Sequence, residues 1–248
     1  MDAYTSFASV YDTFMDNVPY REWGEYLHGL LEENGIRDGI LLDLGCGTGT
    51  MTEILAGFGY DMIGVDNSED MLEIAMEKKE ASGHDILYLL QDMREFELIG
   101  KVDAIVSLCD SLNYITEKAD LLEVFKRVHD YLEKDGLFIF DINTIYKFQN
   151  ILSDNSFCET TENSAYTWEN YYDEEEKINE FYTNFFVENS DGLYERYEEF
   201  HYEKGYTIEE IKELLGMAGL EFEAVYDELT FEEPKENSQK IFFVAKVK

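Results

Sequence analysis

Apolar residues recur with two different periods along this chain, and the change from one to the other divides it. Between Pro19 and Gly35, Trp23, Leu27, Leu30 and Leu31 fall on one face of a helix. Pro19 suits its first turn and Gly35 its end. Ile40, Leu41, Leu42 and Leu44 then form a short apolar run, the pattern of a strand buried on both faces. Met51, Ile54, Leu55 and Phe58 predict a second helix ending near Gly57 and Gly59. Met62 to Asp66 reads as a second strand, and Ser68 as the cap of a helix carrying Met71, Leu72, Ala75 and Met76. Ile86 to Asp92 and Val102 to Leu108 predict further strands. A helix opened by Thr116, bearing Leu121, Leu122, Phe125, Val128 and Leu132, is expected to close at Gly136, with Leu137 to Asn143 as the fifth strand. Strands alternating with helices predict a doubly wound parallel sheet, because parallel neighbours require crossover connections.

After Asn143 the period becomes two. From Ala165 to Tyr206, "INEFYTNFFVE" and "LYERYEEFHYE" alternate, with "DEEEK" and "NSDG" as breaks, which predicts three antiparallel strands rich in aromatics. Thr207 and Glu210 form a capping box for a helix with Ile208, Ile211, Leu214 and Leu215 that ends at Gly219. Two last strands are expected near Leu220 to Leu229 and Lys240 to Val247, joined by a polar loop holding Pro234. The expected division is 1–145, an N-terminal lid helix with a parallel core; 146–206, an inserted antiparallel lid; and 207–248, a helix and strands completing the core sheet.

Charge narrows the functional classes. Across 248 residues, 19 Lys and Arg face 55 Asp and Glu, a net charge of −36. With no basic cluster, neither a nucleic acid backbone nor an anionic membrane is an expected partner. A cationic or neutral small molecule, or a basic protein, fits such a surface. Cys46, Cys109 and Cys158 are widely spaced and odd in number, so neither a disulfide framework nor a metal site is expected. The first residues lack a basic and apolar leader and no apolar run is of spanning length, a pattern expected of a cytoplasmic protein.

The chemistry concentrates in "LLDLGCGTGT", Leu41 to Thr50, where Gly45, Gly47 and Gly49 follow directly on the first strand. Glycines there let the backbone approach a ligand at the mouth of a crevice, with a helix amino end behind it. Asp66, ending the second strand, is placed to accept hydrogen bonds from both hydroxyls of a ribose. Asp92, ending the third, is placed to receive the exocyclic amino group of adenine, with Met93 beside the ring. A dinucleotide loop would carry its third glycine one residue later, so no pyrophosphate is expected.

"DLGCGTG", "GVDNSEDML", "QDM" and the run from Asp130 to Leu137 resemble the class I S-adenosylmethionine-dependent methyltransferases. The resemblance implies a Rossmann-like seven-stranded sheet and S-adenosylmethionine as cofactor. It implies that Gly45, Cys46, Gly47, Thr48 and Gly49 surround the methionine part, with Asp43 fixing the loop. Asp66 would bind the ribose, Asp92 the adenine amino group and Met93 the adenine face, with Asn67 and Met71 also among the cofactor-binding residues. Cys109 would lie near the sulfonium, through its backbone or as a small buried side chain, with Asp110, Ser111, Asn113 and Tyr114 facing the reacting centre. "YTSFASVYDTFMDNVPYREW", Tyr4 to Trp23, resembles the opening of a bacterial subgroup of small methyltransferases in which this segment folds over the cofactor. That makes Tyr11, Tyr20 and Trp23 candidates for closing the pocket, Trp23 being equally placed for core packing. The aromatic insert is similar to that of sugar-amine N-methyltransferases.

The expected activity is in-line methyl transfer to a small molecule, an amine among the candidates. Methylation of a protein or nucleic acid, and cofactor binding without catalysis, stand as alternatives. An amine must lose a proton before attack. Tyr114 and His201 are candidates to take it, and Asn113 to orient the acceptor; His28, His84 and His129 are assigned no chemistry. A monomer and a homodimer are both compatible with the sequence.

Overall fold

A computed structural model of the protein describes residues 11, 12, 18–189 and 191–248. The rest of the N-terminal stretch expected to fold over the cofactor lies outside the described residues. The first half of the chain runs α1 (Tyr20–Glu33), β1 (Ile40–Leu44), α2 (Thr50–Gly57), β2 (Asp61–Asp66), α3 (Glu69–Ser82), β3 (Leu87–Leu90) and β4 (Val102–Ser107). A short 3-10 turn, Ser111–Tyr114, leads into α4 (Lys118–Tyr131) and β5 (Leu132–Asn143). A wide turn, Lys147–Leu152, then opens the insert of β6 (Ser156–Thr160), β7 (Ser164–Asp173), β8 (Ile178–Glu188) and β9 (Tyr194–Lys204). Finally come α5 (Ile208–Ala218), β10 (Glu221–Asp227) and β11 (Lys240–Lys246).

The core is a seven-stranded sheet in the order β10-β11-β5-β4-β1-β2-β3, and the insert is a four-stranded antiparallel sheet in the order β6-β7-β8-β9. β1 to β5 are parallel, and β11 enters antiparallel to β5 with Phe243 opposite Phe140. Alternation along the strands sends Leu42, Leu44, Ile105, Phe138, Phe140 and Phe243 to one face, where α4 and α5 cover them with Phe125, Val128, Ile211 and Leu215. Leu41, Met62, Ala104, Val106, Ile139 and Phe242 point to the other, under Leu27, Leu31 and Met51 of α1 and α2. Each fully buried Phe contributes about 1.5–3 kcal/mol relative to exposure, so these faces fix the register of the sheet.

The structure departs from the sequence expectation in three places. β5 starts at Leu132, and Gly136 lies inside it, where an added Cβ would come within 2.8 Å of the Glu133 carbonyl and 3.0 Å of that of Asp103. That glycine therefore serves close backbone approach and ends no helix. The insert has a fourth strand, Ser156–Thr160, which is mostly exposed; a polar edge strand of this kind carries too few apolar positions to announce itself. α4 opens two residues after Thr116, with Glu117 as its cap. Among the described residues no helix is long and apolar enough to cross a membrane.

Candidate functional site

β1 lies between β2 and β4, and the chain leaves it in one direction and later returns on the other side. That reversal opens a crevice at the carboxyl ends of the strands. The glycine loop fills its floor. Gly45, Gly47 and Gly49 have φ of 82, 52 and 73°, in the left-handed region that side chains resist. The N–H groups of Gly45 and Cys46 donate to the Val65 carbonyl at 2.7 and 3.0 Å, tying the loop to β2.

Two carboxylates brace that loop. Asp66 accepts from the Gly47 N–H at 2.8 Å through one oxygen and from the Ser68 N–H at 2.9 Å through the other. Burial raises its pKa, and those backbone donors partly offset the rise. Asp43 accepts from the Thr52 hydroxyl at 2.6 Å. Burial pushes its pKa up to about 7, with the Thr52 hydrogen bond opposing and the neighbouring Asp66 charge adding to the rise. Lys78 contacts Thr48 at 3.0 Å, Thr50 at 2.6 Å and Asp12 at 2.6 Å, linking α3 and the loop to the N-terminal turn.

A cavity of about 330 Å³ lies over the loop. Tyr11, Asp43, Gly45, Cys46, Gly47, Thr48, Asp66, Asn67, Met71, Asp92, Met93 and Cys109 all line it, as do Ser111 and Tyr114. Gly49 does not: its missing Cβ gives room to Tyr88 and Ala75, so it serves the packing of the loop. Gly47 lines the cavity and an added Cβ there would meet nothing within 4 Å, which marks a cradle with open space before it. Together with the carboxylate of Asp66 and the apolar Met71 and Met93, this donor set fits a nucleoside joined to an amino-acid chain. Sequence reasoning missed Arg94. Its guanidinium holds Asp92 through contacts of 2.9 and 3.1 Å from Nε, and reaches Asp120 at 3.2 Å. Those hydrogen bonds lower the Asp92 pKa.

A second cavity of about 470 Å³ adjoins the first, and Tyr11, Cys109 and Tyr114 line both. One wall comes from the insert: Tyr166 and Trp168 of β7, Phe181, Thr183 and Phe185 of β8, and His201 and Glu203 of β9. His201 is buried, stacks on Phe181 at 4.6 Å and meets the edge of Tyr114 at 5.8 Å. Its Nε2 lies 3.0 Å from the Glu199 carboxylate. Trp23 belongs to this second cavity and not to the first, packed edge-on against Phe242 with the Lys240 ammonium over its ring. Asn113 lines neither cavity. It is fully buried, and its amide is spent on the Asn143 backbone at both N–H and carbonyl and on the Lys204 carbonyl, which corrects the expectation that it faces the reacting centre.

At the second cavity lies a charge cluster that no local motif announced. Asp141 of β5, fully buried, meets Lys240 of β11 at 3.2 Å, and Lys240 also meets Asp110 at 2.8 Å. Burial alone would raise Asp110, but Lys240 and then Lys147 hold its carboxyl below the usual range. Glu203 hydrogen-bonds to Asp110, and burial followed by that neighbouring charge raises it well above its ordinary value. Glu203 thus resists ionisation beside Asp110 at the wall of the second cavity.

The sheet order, the glycine loop and the carboxylates at the strand ends define a Rossmann-like nucleoside-binding enzyme core. A family model described as a methyltransferase domain matches residues 41–136. A protein of Geobacillus sp. (strain WCH70) named as a methyltransferase is 38% identical over 245 residues, covering 98% of this chain and 99% of that protein. A crystal structure of an S-adenosylmethionine-dependent methyltransferase from Clostridium acetobutylicum superposes with a TM-score of 0.89 at 32% identity, covering 98% of both chains. The sugar N-methyltransferase KedS8 from Streptoalloteichus shares the fold with a TM-score of 0.79 at 19% identity, over 96% of this chain and 92% of that one. The chain belongs to the S-adenosylmethionine-dependent methyltransferases, and S-adenosylmethionine is its cofactor.

Proposed function

We propose that the protein methylates the nitrogen of a small-molecule amine bound in the second cavity. The observation that carries this reading is the contact between the two cavities through Tyr11, Cys109 and Tyr114. A volume of about 470 Å³ suits a small ligand. The faces of Trp168, Phe181 and Phe185 suit an amine approaching in protonated form, in a cavity where Asp110, Glu203 and Glu228 stand beside Lys147 and Lys240. The fold shared with a sugar N-methyltransferase agrees with an amine acceptor.

Gly45, Gly47 and Thr48 would hold the methionine part of the cofactor, Asp66 and Asn67 the ribose, and Met71, Asp92 and Met93 the adenine. When bound, S-adenosylmethionine supplies a methyl group already activated on a sulfonium. The chain's own task is then to align the acceptor, exclude water and accept one proton. His201 would take it. Glu199, 3.0 Å from the ring Nε2, would act as a positioning residue.

The test is turnover of S-adenosylmethionine with a panel of primary and secondary ring amines against their alcohol counterparts. Amines are expected to be consumed and alcohols not; turnover of the alcohols alone refutes the reading. His201→Asn is expected to lower kcat by about 10²–10⁴-fold. Cofactor affinity should stay unchanged in that variant.

A further inference from the structure

Among the described residues, three polar groups around the second cavity are buried without a hydrogen-bond partner: the indole Nε1 of Trp23, the indole Nε1 of Trp168 and the hydroxyl of Thr183. Trp23 is 4% exposed and Thr183 7%. Buried donors in folded proteins are almost always paired, so several orphans around one cavity call for a partner that the described residues do not provide. Two of them are neighbours. Trp168 on β7 stands directly opposite Thr183 on β8 in the antiparallel register, so their side chains rise from the same face about 5 Å apart at Cβ. Phe181 packs against the Trp168 ring at 5.6 Å and stacks on His201, giving the pair an apolar surround. Trp23 presents its donor from α1, outside the insert.

We propose that Trp168 and Thr183 form a subsite for a hydroxyl or carbonyl oxygen of the acceptor, an inference that rests on the second cavity being the acceptor site. An indole N–H can only donate, so the ligand atom it meets must accept, whereas the Thr183 hydroxyl serves as donor or acceptor. A ligand oxygen between them satisfies both at once. A hydrocarbon amine would leave both buried and unpaired, and a site built to hydrogen-bond an oxygen rejects the analogue that lacks it. The acceptor is therefore an oxygenated ring compound: its nitrogen lies toward Tyr114 and His201, its ring against Phe181 and Trp168, and its oxygen at the Trp168–Thr183 pair.

The chain has only two Trp, so a nitrogen-15 spectrum of the full-length protein contains two indole signals, assigned with Trp23→Phe and Trp168→Phe. Protein saturated with S-adenosylhomocysteine is titrated separately with trans-4-aminocyclohexanol, cyclohexylamine and trans-1,4-cyclohexanediol. The two oxygen-bearing probes are expected to move the Trp168 indole proton downfield and cyclohexylamine to leave it in place. Aminocyclohexanol should bind about tenfold tighter than cyclohexylamine, the share of one paired hydrogen bond. That preference should vanish in Thr183→Val and survive in Thr183→Ser, while Thr183→Val unfolds no more easily than the parent.

A Trp168 signal that neither oxygen-bearing probe moves overturns the subsite, as does equal binding of the two amines or a preference that survives Thr183→Val. Failure of the amine reading looks different. The diol would then bind as tightly as aminocyclohexanol while the Trp168 shift and the effect of Thr183→Val remain.

Discussion

Asp141 accepts the backbone N–H of Asp110 at 2.7 Å, so a carboxylate of the central sheet holds the residue that follows Cys109. Its other oxygen accepts from the Cys109 N–H at 3.2 Å. Both residues have φ of 55°, a conformation that costs about 1–2 kcal/mol for each non-glycine residue and persists only where something holds it. Lys240 closes the arrangement at 3.2 Å from Asp141. Removing Asp141 leaves those two N–H groups without their acceptor and the buried Lys240 ammonium with Asp110 alone. Asp141→Ala is expected to lower unfolding free energy by about 3–5 kcal/mol in urea titrations. Asp141→Ala with Lys240→Met should cost less than the two single changes added together, with a coupling of at least about 1 kcal/mol.

The glycines of the loop separate packing from binding. At Gly49 an added Cβ would sit 2.4 Å from the Tyr88 hydroxyl and 3.0 Å from the Ala75 Cβ, at φ of 73°. Gly49→Ala should therefore destabilise the fold by about 2–4 kcal/mol, clash and backbone strain together. At Gly47 the added Cβ meets no protein atom. Gly47→Ala should cost only about 1–2 kcal/mol of stability, the strain of its positive φ. Its larger effect should be on calorimetric binding of S-adenosylhomocysteine, because the methyl group enters the cradle. Equal losses of affinity and stability in the two variants would show that the distinction is wrong.

Asp66 makes a different prediction because it both braces the loop and lines the cavity. Asp66→Ala removes the acceptor for the N–H groups of Gly47 and Ser68 as well as the ligand-facing carboxylate. Two charge-assisted hydrogen bonds from the ribose hydroxyls to this carboxylate would be worth about 3 kcal/mol or more, or roughly a hundredfold in affinity for S-adenosylhomocysteine. Calorimetry of the variant beside the parent checks this, and NAD should bind neither.

The parts of the site that the sequence made legible are those fixed by local pattern. The run Leu41 to Leu44, three glycines and an aspartate at the end of the next strand form a compact string whose backbone needs are visible in the residues themselves. Asp141 and Lys240 are the opposite case: they are 99 residues apart and meet only because β11 pairs with β5. Nothing in "FDIN" or "SQKIF" distinguishes a buried ion pair from solvated charge. Trp23 lay on an apolar stripe that serves both core and cavity, and only the position of β11 decides which surface its ring meets. Asn113 was misplaced for a related reason: an amide beside a reacting centre looks alike in sequence whether it faces ligand or, as here, pins β5 to β9.

The buried Asp43 ties stability to pH. Its pKa of about 7 in the folded protein stands against 3.8 as the ordinary value, so the folded state holds a proton that the unfolded chain releases. Folding therefore takes up a proton between those values, and the contribution of Asp43 is complete at low pH and is lost as pH rises toward 7 and beyond. From pH 5 to pH 8 the loss is about 2–3 kcal/mol. Burial also raises Asp141 and Glu203, which act in the same direction, while Asp92 and Asp110 are lowered and act in the opposite one. The raw stability profile is thus a sum, and the contribution of Asp43 must be isolated by difference. Asp43→Asn keeps an oxygen to accept from the Thr52 hydroxyl and carries no titrating group. Urea unfolding of parent and variant across this range should show the parent losing about 2–3 kcal/mol relative to Asp43→Asn as pH rises. Parallel profiles would mean that Asp43 is ionised throughout, and would place a compensating cation beside it in solution.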